Sequence, residues 1–241
     1  MSGDDVAVTT ADGVRTIRLT RPQKRNAITS AMYAELAAAL GTADTDPGVR
    51  VVVLTGSGGT FTAGHDLDDL RAHPPLHDDA PPLRFEAALV GLGVPLVAAV
   101  DGPAIGIGTT LLLHCDLVYA TVRSTFRLPF VDLGLIPEAA STLLLPRLVG
   151  HQKAAELMLL GQAFDAATAQ RMGLVAELTE GEAELAALVD ERTTALAAKP
   201  TVAVRETKRL LRDGSSSTVA DRLGVDRRVM QQLIARRTAR A

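Results

Sequence analysis

A chain of 241 residues with 47% hydrophobic side chains can hold one large core or two small ones. Aromatics make up 3%, Trp is absent and Cys115 stands alone, which points to an aliphatic interior and excludes an intramolecular disulfide framework. The net charge of −3 is uneven, since residues 205–241 carry +6 and the remainder −9; with no aromatic stacking motifs, nucleic-acid binding is not expected.

"MSGDDVAVTT" lacks the charged-then-apolar layout of a secretory signal, and "RTARA" is not a peroxisomal tripeptide. "VAVTTADGVRTIRLTRP" reads as a hairpin around Asp12 and Gly13. "TSAMYAELAAAL" reads as a helix capped at Thr29 or Ser30 and ended by Gly41. "VRVVVLTG", "VPLVAAVDG" and "CDLVYAT" are short β-branched runs of the kind buried on both faces of a parallel sheet. "IGTTLLLH" is the expected helix between the last two, and right-handed crossovers would link them. Residues 90–113 are apolar, but Pro95, Asp101 and Pro103 interrupt them short of the roughly 18–20 residues a membrane span needs. The cytoplasm is the expected location. "RAHPPLHDDAPP" is a surface loop, and after about residue 137 the patterns are helical except for "LVAEL".

Glycine-bearing turns at the ends of parallel strands are where open α/β folds hold ligands. "TGSGGTFTAGHDL" contains no nucleotide-binding signature. In "DGPAIGIGTTLLL", Gly106 and Gly108 flank Ile107 just before a helix, where unpaired backbone N–H groups favour negative charge. Two such turns facing each other would make an oxyanion hole. Cys115, in "LLLHCDL", reads as a buried small hydrophobe. His65, Asp66, Asp68 and Asp69 show no metal-ligand spacing, and no metal is expected. In "GLIPEAAST", Pro137 and Glu138 fit the first turn of a helix, where the macrodipole favours an anion. Phe126, Leu128, Phe130, Leu135, Ile136 and Leu143 would also desolvate Glu138 and make it a better proton acceptor.

"RPQKRNAIT", "VVVLTGSGGTFTAGHDL", "VPLVAAVDGPAIGIGTTLLLHCDLVYA", "STFRLPFVDLGLIPEAASTLLLPRLVG" and "AAELMLLGQAFDAATAQRMGLVAEL" together resemble, in order and spacing, the crotonase (enoyl-CoA hydratase/isomerase) superfamily. The resemblance covers roughly residues 6–215 and is nearest to the Δ3,Δ2-enoyl-CoA isomerases. It implies an α/β fold, a spiral of ββα units over 1–190 followed by a helical trimerisation region over 191–241. It also implies an acyl-CoA thioester substrate, no cofactor beyond that coenzyme A, and a homotrimer or dimer of trimers. The thioester oxygen would accept from the backbone N–H groups of His65 and Ile107, framed by Ala63, Gly64, Gly106 and Gly108. Coenzyme A would lie near Lys24, Arg25, Ala27, Asp66 and Leu67, with Lys208 or Arg212 near its phosphates. The two glutamates of the hydratases are replaced by Thr110 and Phe130, the latter among the substrate-binding residues the resemblance implies. The isomerases' single carboxylate falls at Glu138, which implies movement of a double bond from position 3 to position 2, a reaction of β-oxidation. Water addition, isomerisation of a ring acyl-CoA, and an inactive binding protein are the alternatives.

Overall fold

The computed structural model describes residues 5–213 and 218–238, with the side chains of all of these except 220 and 235–238. Arg236, Arg237 and Arg240 of the basic tail therefore lie outside the described side chains.

Strands β1 (Val6–Ala11) and β2 (Val14–Leu19) form the expected antiparallel hairpin. Its two-residue turn has left-handed φ at both positions, 50° at Asp12 and 82° at Gly13, the geometry that matches strand twist. Helix α1 (Ser30–Thr45) starts where Thr29 Oγ1 accepts the Met32 N–H. It does not stop at Gly41. That glycine is helical and an added side chain there would meet open space, so it loosens the helix without ending it.

β3 (Val51–Thr55), β4 (Leu96–Val100), β6 (Leu117–Thr121) and β9 (Glu177–Thr179) follow β2 in parallel, in the order β1-β2-β3-β4-β6-β9. A second sheet holds β5 (Pro103–Ile105), β7 (Thr125–Arg127) and β8 (Phe164–Asp165), and the Thr62–Ala104 bridge ties the first glycine-rich loop to it. The chain thus places a strand in the large sheet, a short one in the small sheet, and then a helix. β4 and β5 lead into α4 (Ile107–Thr110), after α2 (Leu67–Ala72) and α3 (Pro81–Gly91) have filled the previous crossover. This is the expected spiral of ββα units.

Alternation along β3 divides the interior in two. Val52 and Leu54 join Phe61, Phe85, Leu89 and Phe126 on one side. Val51 and Val53 join Val97, Ala99 and Tyr119 on the other, under Leu185, Val189 and Ala197. That is why the strand sequence is apolar without interruption.

The later helices are α5 (Ser141–Val149), α6 (His151–Leu160), α7 (Ala166–Arg171), α8 (Glu182–Ala197), α9 (Thr201–Arg212) and α10 (Val219–Thr238). The expected division at 190/191 falls inside α8, whose apolar face covers the large sheet. A boundary there would cut one packed helix, so α8 goes with the α/β core. Three of the ten basic residues from 205 onward dock α9. Arg205 pairs with Asp44 at 2.8 Å, Lys208 with Asp116 at 2.7 Å, and Arg212 donates to the Val90, Leu92 and His114 carbonyls. Among the described residues no helix is long and apolar enough to cross a membrane.

Candidate active site

The motif "RNAIT" sets one wall. Asn26 is fully buried with φ of 53°, and its amide donates to the Thr60 carbonyl at 2.7 Å and the Ser57 carbonyl at 3.0 Å. Thr62 Oγ1 donates to the Asn26 carbonyl at 2.7 Å and accepts the Gly64 N–H at 3.0 Å. Further along, the Ile28 N–H donates to the Gly64 carbonyl at 2.8 Å and the Asp66 N–H to the Ile28 carbonyl at 2.9 Å. In such a parallel bridge the groups of the intervening residue point the other way, so the His65 N–H faces away from Ile28.

The second turn lies against the first. A Cβ on Gly64, where φ is +87°, would come 2.6 Å from the Ile105 carbonyl oxygen and 3.8 Å from Gly106 Cα. Only glycine lets the two backbones approach so closely. The N–H of Gly106 donates to the Arg127 carbonyl, which leaves Ile107 as the first helical residue of α4, where the N–H has no partner within the helix. Gly108 packs under this turn, since a Cβ there would be 2.5 Å from Thr62 Cγ2. His65, Ile107, Ala63, Gly64, Gly106 and Gly108 are thus one unit, with two candidate donors for an anionic oxygen.

Glu138 does not start a helix. α5 begins at Ser141, and before it Ala139 and Ala140 have φ of 54° and 52°. For residues with a Cβ that conformation costs ~1–2 kcal/mol each, so contacts elsewhere must hold it. The Ala139 carbonyl accepts from His114 Nε2 at 2.8 Å. This turn brings Glu138 Oε2 within 2.8 Å of His65 Nε2, with the side chains 21% and 14% exposed. Glu138 Oε1 is buried and has no hydrogen-bond partner among the described residues. The surroundings are less uniformly apolar than the sequence implies. Phe126, Leu128 and Phe130 are buried, whereas Leu135, Ile136 and Leu143 face outward.

Three side chains here escaped the sequence reading: His65 as more than a backbone donor, Tyr33 and Glu86. The Tyr33 ring lies 5.0 Å from that of His65 and 5.5 Å from that of Phe85, centroid to centroid. Burial first, and then the charges of Glu138, Glu86 and Asp69, push its phenol well above the usual value. Glu86, on α3, is pushed up to about 7, mainly by burial and next by the charge of Glu138, against the opposing pull of the Ala139 N–H and His65. A signal was present in "PPLRFEAALVG". Pro82 and Leu89 are buried, and residue 86, four after one and three before the other, falls on the same helix face.

The positions of the hydratase glutamates carry no acid. Thr110 is fully buried and donates to the Ile107 carbonyl at 3.4 Å, and Phe130 Cζ would lie 3.9 Å from a Cβ on Gly106. Lys24 and Arg25 are exposed beside the 3-10 turn Pro22–Lys24. The Ala63 N–H donates to the Arg25 carbonyl at 2.9 Å, and Arg21 bridges the Ala27 carbonyl and the Asp66 carboxylate. Hydrogen bonding to Arg21 holds Asp66 below the usual carboxylate range, and Leu67 beside it is exposed. Lys208 does not join this group. It is 5% exposed, with its ammonium on the Val94 carbonyl and Asp116, so the expected phosphate contact is replaced by helix docking. No cluster of three or more His, Cys, Asp or Glu suited to a metal occurs among the described residues.

Comparison with known proteins shows the family. The profile of the family described as Enoyl-CoA hydratase/isomerase matches residues 9–240. The chain is 40% identical over 180 residues to the peroxisomal enoyl-CoA delta isomerase 3 of Mus musculus, covering 72% of this chain and 56% of that one. It is 35% identical over 224 residues to the 1,2-epoxyphenylacetyl-CoA isomerase of Escherichia coli (strain K12), covering 89% and 84% of the two chains. The solved structure of Pseudomonas aeruginosa OdaA superposes with a TM-score of 0.86 at 42% identity, covering 92% of this chain and 89% of that one. The spiral fold, the paired glycine turns and these matches make the chain a member of the enoyl-CoA hydratase/isomerase family.

Proposed function

We propose that the protein is an acyl-CoA isomerase that moves the double bond of a 3-enoyl-CoA to position 2, with Glu138 as base. The observation that carries this reading is the left-handed turn at Ala139 and Ala140, which turns Glu138 toward His65 and leaves one buried carboxylate oxygen without a partner. An unpaired buried acceptor costs ~1–3 kcal/mol, and a substrate C–H is a fitting occupant for a proton-abstracting oxygen. Glu138 takes a proton from C2, and the charge moves into the thioester oxygen. The His65 and Ile107 N–H groups receive that oxygen, at about 3 kcal/mol of transition-state stabilisation per donor. Collapse of the dienolate with a proton at C4 gives the 2-enoyl product. His65 Nε2 holds the carboxylate in one orientation between turnovers.

Coenzyme A would lie along Lys24, Arg25, Ala27, Asp66 and Leu67 and is part of the substrate, so no further cofactor is invoked. The substrate belongs to fatty-acid β-oxidation in the cytoplasm. A trimer, or two stacked trimers, would cover Leu135 and Ile136 together with Leu223, Met230 and Ile234 of α10, all of them exposed in the single chain.

Glu86, which burial and the charge of Glu138 push up to about 7, weakens the argument against water addition that rests on a single carboxyl. Thr110 and Phe130 still leave the α4 side of the oxyanion turn without an acid to orient water. A ring acyl-CoA is the second reading, favoured by the likeness to the 1,2-epoxyphenylacetyl-CoA isomerase. Turnover of 3-hexenoyl-CoA, crotonyl-CoA and a ring-epoxide acyl-CoA by one preparation tests all three. The expected result is isomerisation of 3-hexenoyl-CoA at a kcat/KM at least ~100-fold above that for the other two. Faster hydration of crotonyl-CoA would overturn the proposal.

A further inference from the structure

We infer that His114 is a positioning residue of this site: its imidazole holds the turn that presents Glu138, and so fixes the base relative to the oxyanion donor at Ile107. The inference rests on the isomerase reading above and adds a residue to it. Ala139 and Ala140 follow Glu138 with φ of 54° and 52°, and two consecutive left-handed residues that both carry a Cβ persist only where their surroundings over-determine them. The turn's own backbone supplies part of that. The Glu138 carbonyl accepts the Ser141 N–H at 3.1 Å, and the Ala140 carbonyl accepts the Leu143 and Leu144 N–H groups at 3.0 and 3.1 Å. The Ala139 carbonyl between them instead accepts from His114 Nε2 at 2.8 Å, across 25 residues of sequence. A carbonyl only accepts, so Nε2 carries the hydrogen.

The placement of His114 gives this bond its reach. His114 is the last residue of the 3-10 turn Leu111–His114, which continues α4 (Ile107–Thr110) without a break. One continuous helical segment therefore carries the Ile107 N–H at its start and the imidazole at its end. That end is anchored from α9, where Arg212 Nη2 donates to the His114 carbonyl at 3.0 Å and Nη1 to the Leu92 carbonyl at 3.1 Å. Glu138 is thus tied to both oxyanion turns, through its own carboxylate to His65 at 2.8 Å and through Ala139 and His114 to the Ile107 segment. Without the second tie the two alanines relax toward right-handed backbone, which moves the start of the Glu138 side chain and breaks the first.

His114→Ala and His114→Leu both remove the donor, and the second keeps most of the volume. His114→Gln keeps an N–H at about the reach of Nε2. Ala139→Gly with Ala140→Gly, added to His114→Leu, lets the turn form without a clamp, because glycine adopts positive φ without strain. The two donor-less variants should lose on the order of 100-fold in kcat for 3-hexenoyl-CoA, the effect of a misplacement of about 1 Å, with KM within about threefold of wild type, since an interaction that aligns the base acts on the chemical step. Recovery of kcat to within about tenfold of wild type, by glutamine or by the glycines, is expected. A normal kcat in His114→Leu, or a loss that neither change restores, would overturn the proposal.

A second readout is independent of the reaction. The ring nitrogen NMR signals of the five histidines include that of His65, identified by its loss in His65→Ala. In His114→Leu that signal should move to where Glu138→Ala puts it, because the same contact is lost; a signal that stays at the wild-type position contradicts the positioning role. If the signal moves as expected while wild type fails to isomerise 3-hexenoyl-CoA, the isomerase reading has failed and the role of His114 in presenting Glu138 stands.

Discussion

At Gly64 an added methyl would lie 2.6 Å from a carbonyl oxygen, and φ of +87° already disfavours any side chain. Gly64→Ala is expected to destabilise by at least ~2 kcal/mol, from left-handed strain and a forced separation of the two oxyanion turns, with kcat falling more than KM rises; urea unfolding and steady-state kinetics measure both. Glu86 gives a stability prediction with a definite sign. Its carboxyl holds a proton up to about 7, against an ordinary 4.5. Between those values the folded chain keeps a proton that the unfolded chain has lost, so the group's contribution is intact below pH 4.5 and falls as pH rises toward 7. Glu86→Gln should therefore be more stable than wild type at pH 8, by about 1–2 kcal/mol after allowance for partial solvent exposure, and should lose that advantage near pH 4.5. Paired urea titrations check this. Equal stabilities at pH 8 would contradict it.

Among the elements, the two-faced strands were legible because each side of β3, β4 and β6 is covered, leaving no polar alternation to hide the run. The hairpin was legible in Asp12 and Gly13 for the same reason that it forms, left-handed φ at both positions. The small sheet was not legible, because "PAI", "TFR" and "FD" are shorter than any period a sequence can display. Nor was the start of α5, since Pro137 and Glu138 have first-turn chemistry but precede two residues of opposite backbone hand. That misplacement matters, because it replaces a helix-start role for Glu138 with a presented carboxylate. α9 supplies its own test. Lys208→Ala removes the buried ammonium that ties this helix to Asp116 and the Val94 carbonyl, and a loss of about 3 kcal/mol is expected, as for a broken buried pair. An unchanged unfolding midpoint would show that the helix docks by other means.

For the whole molecule, part of the charge split between body and tail resolves into contacts of α9 with the core. Arg205, Lys208 and Arg212 meet the acids and carbonyls of the core. The outward Leu135 and Ile136 and the apolar side of α10 remain for a neighbour, so sedimentation equilibrium should give three or six chain masses at micromolar concentration, and a monomer would contradict this. How much of the site was legible follows the same division. The backbone donors at His65 and Ile107 were legible through the family resemblance that the glycine motifs carry, whereas the His65–Glu138 contact joins residues 73 apart through side chains that no local pattern connects. The central claim is that Glu138 removes the C2 proton. Its most direct measurement is kcat for 3-hexenoyl-CoA in Glu138→Gln, which retains size and the contact to His65 but has no base: a loss of at least ~100-fold with folding intact is the expected result, and a rate equal to wild type would contradict it.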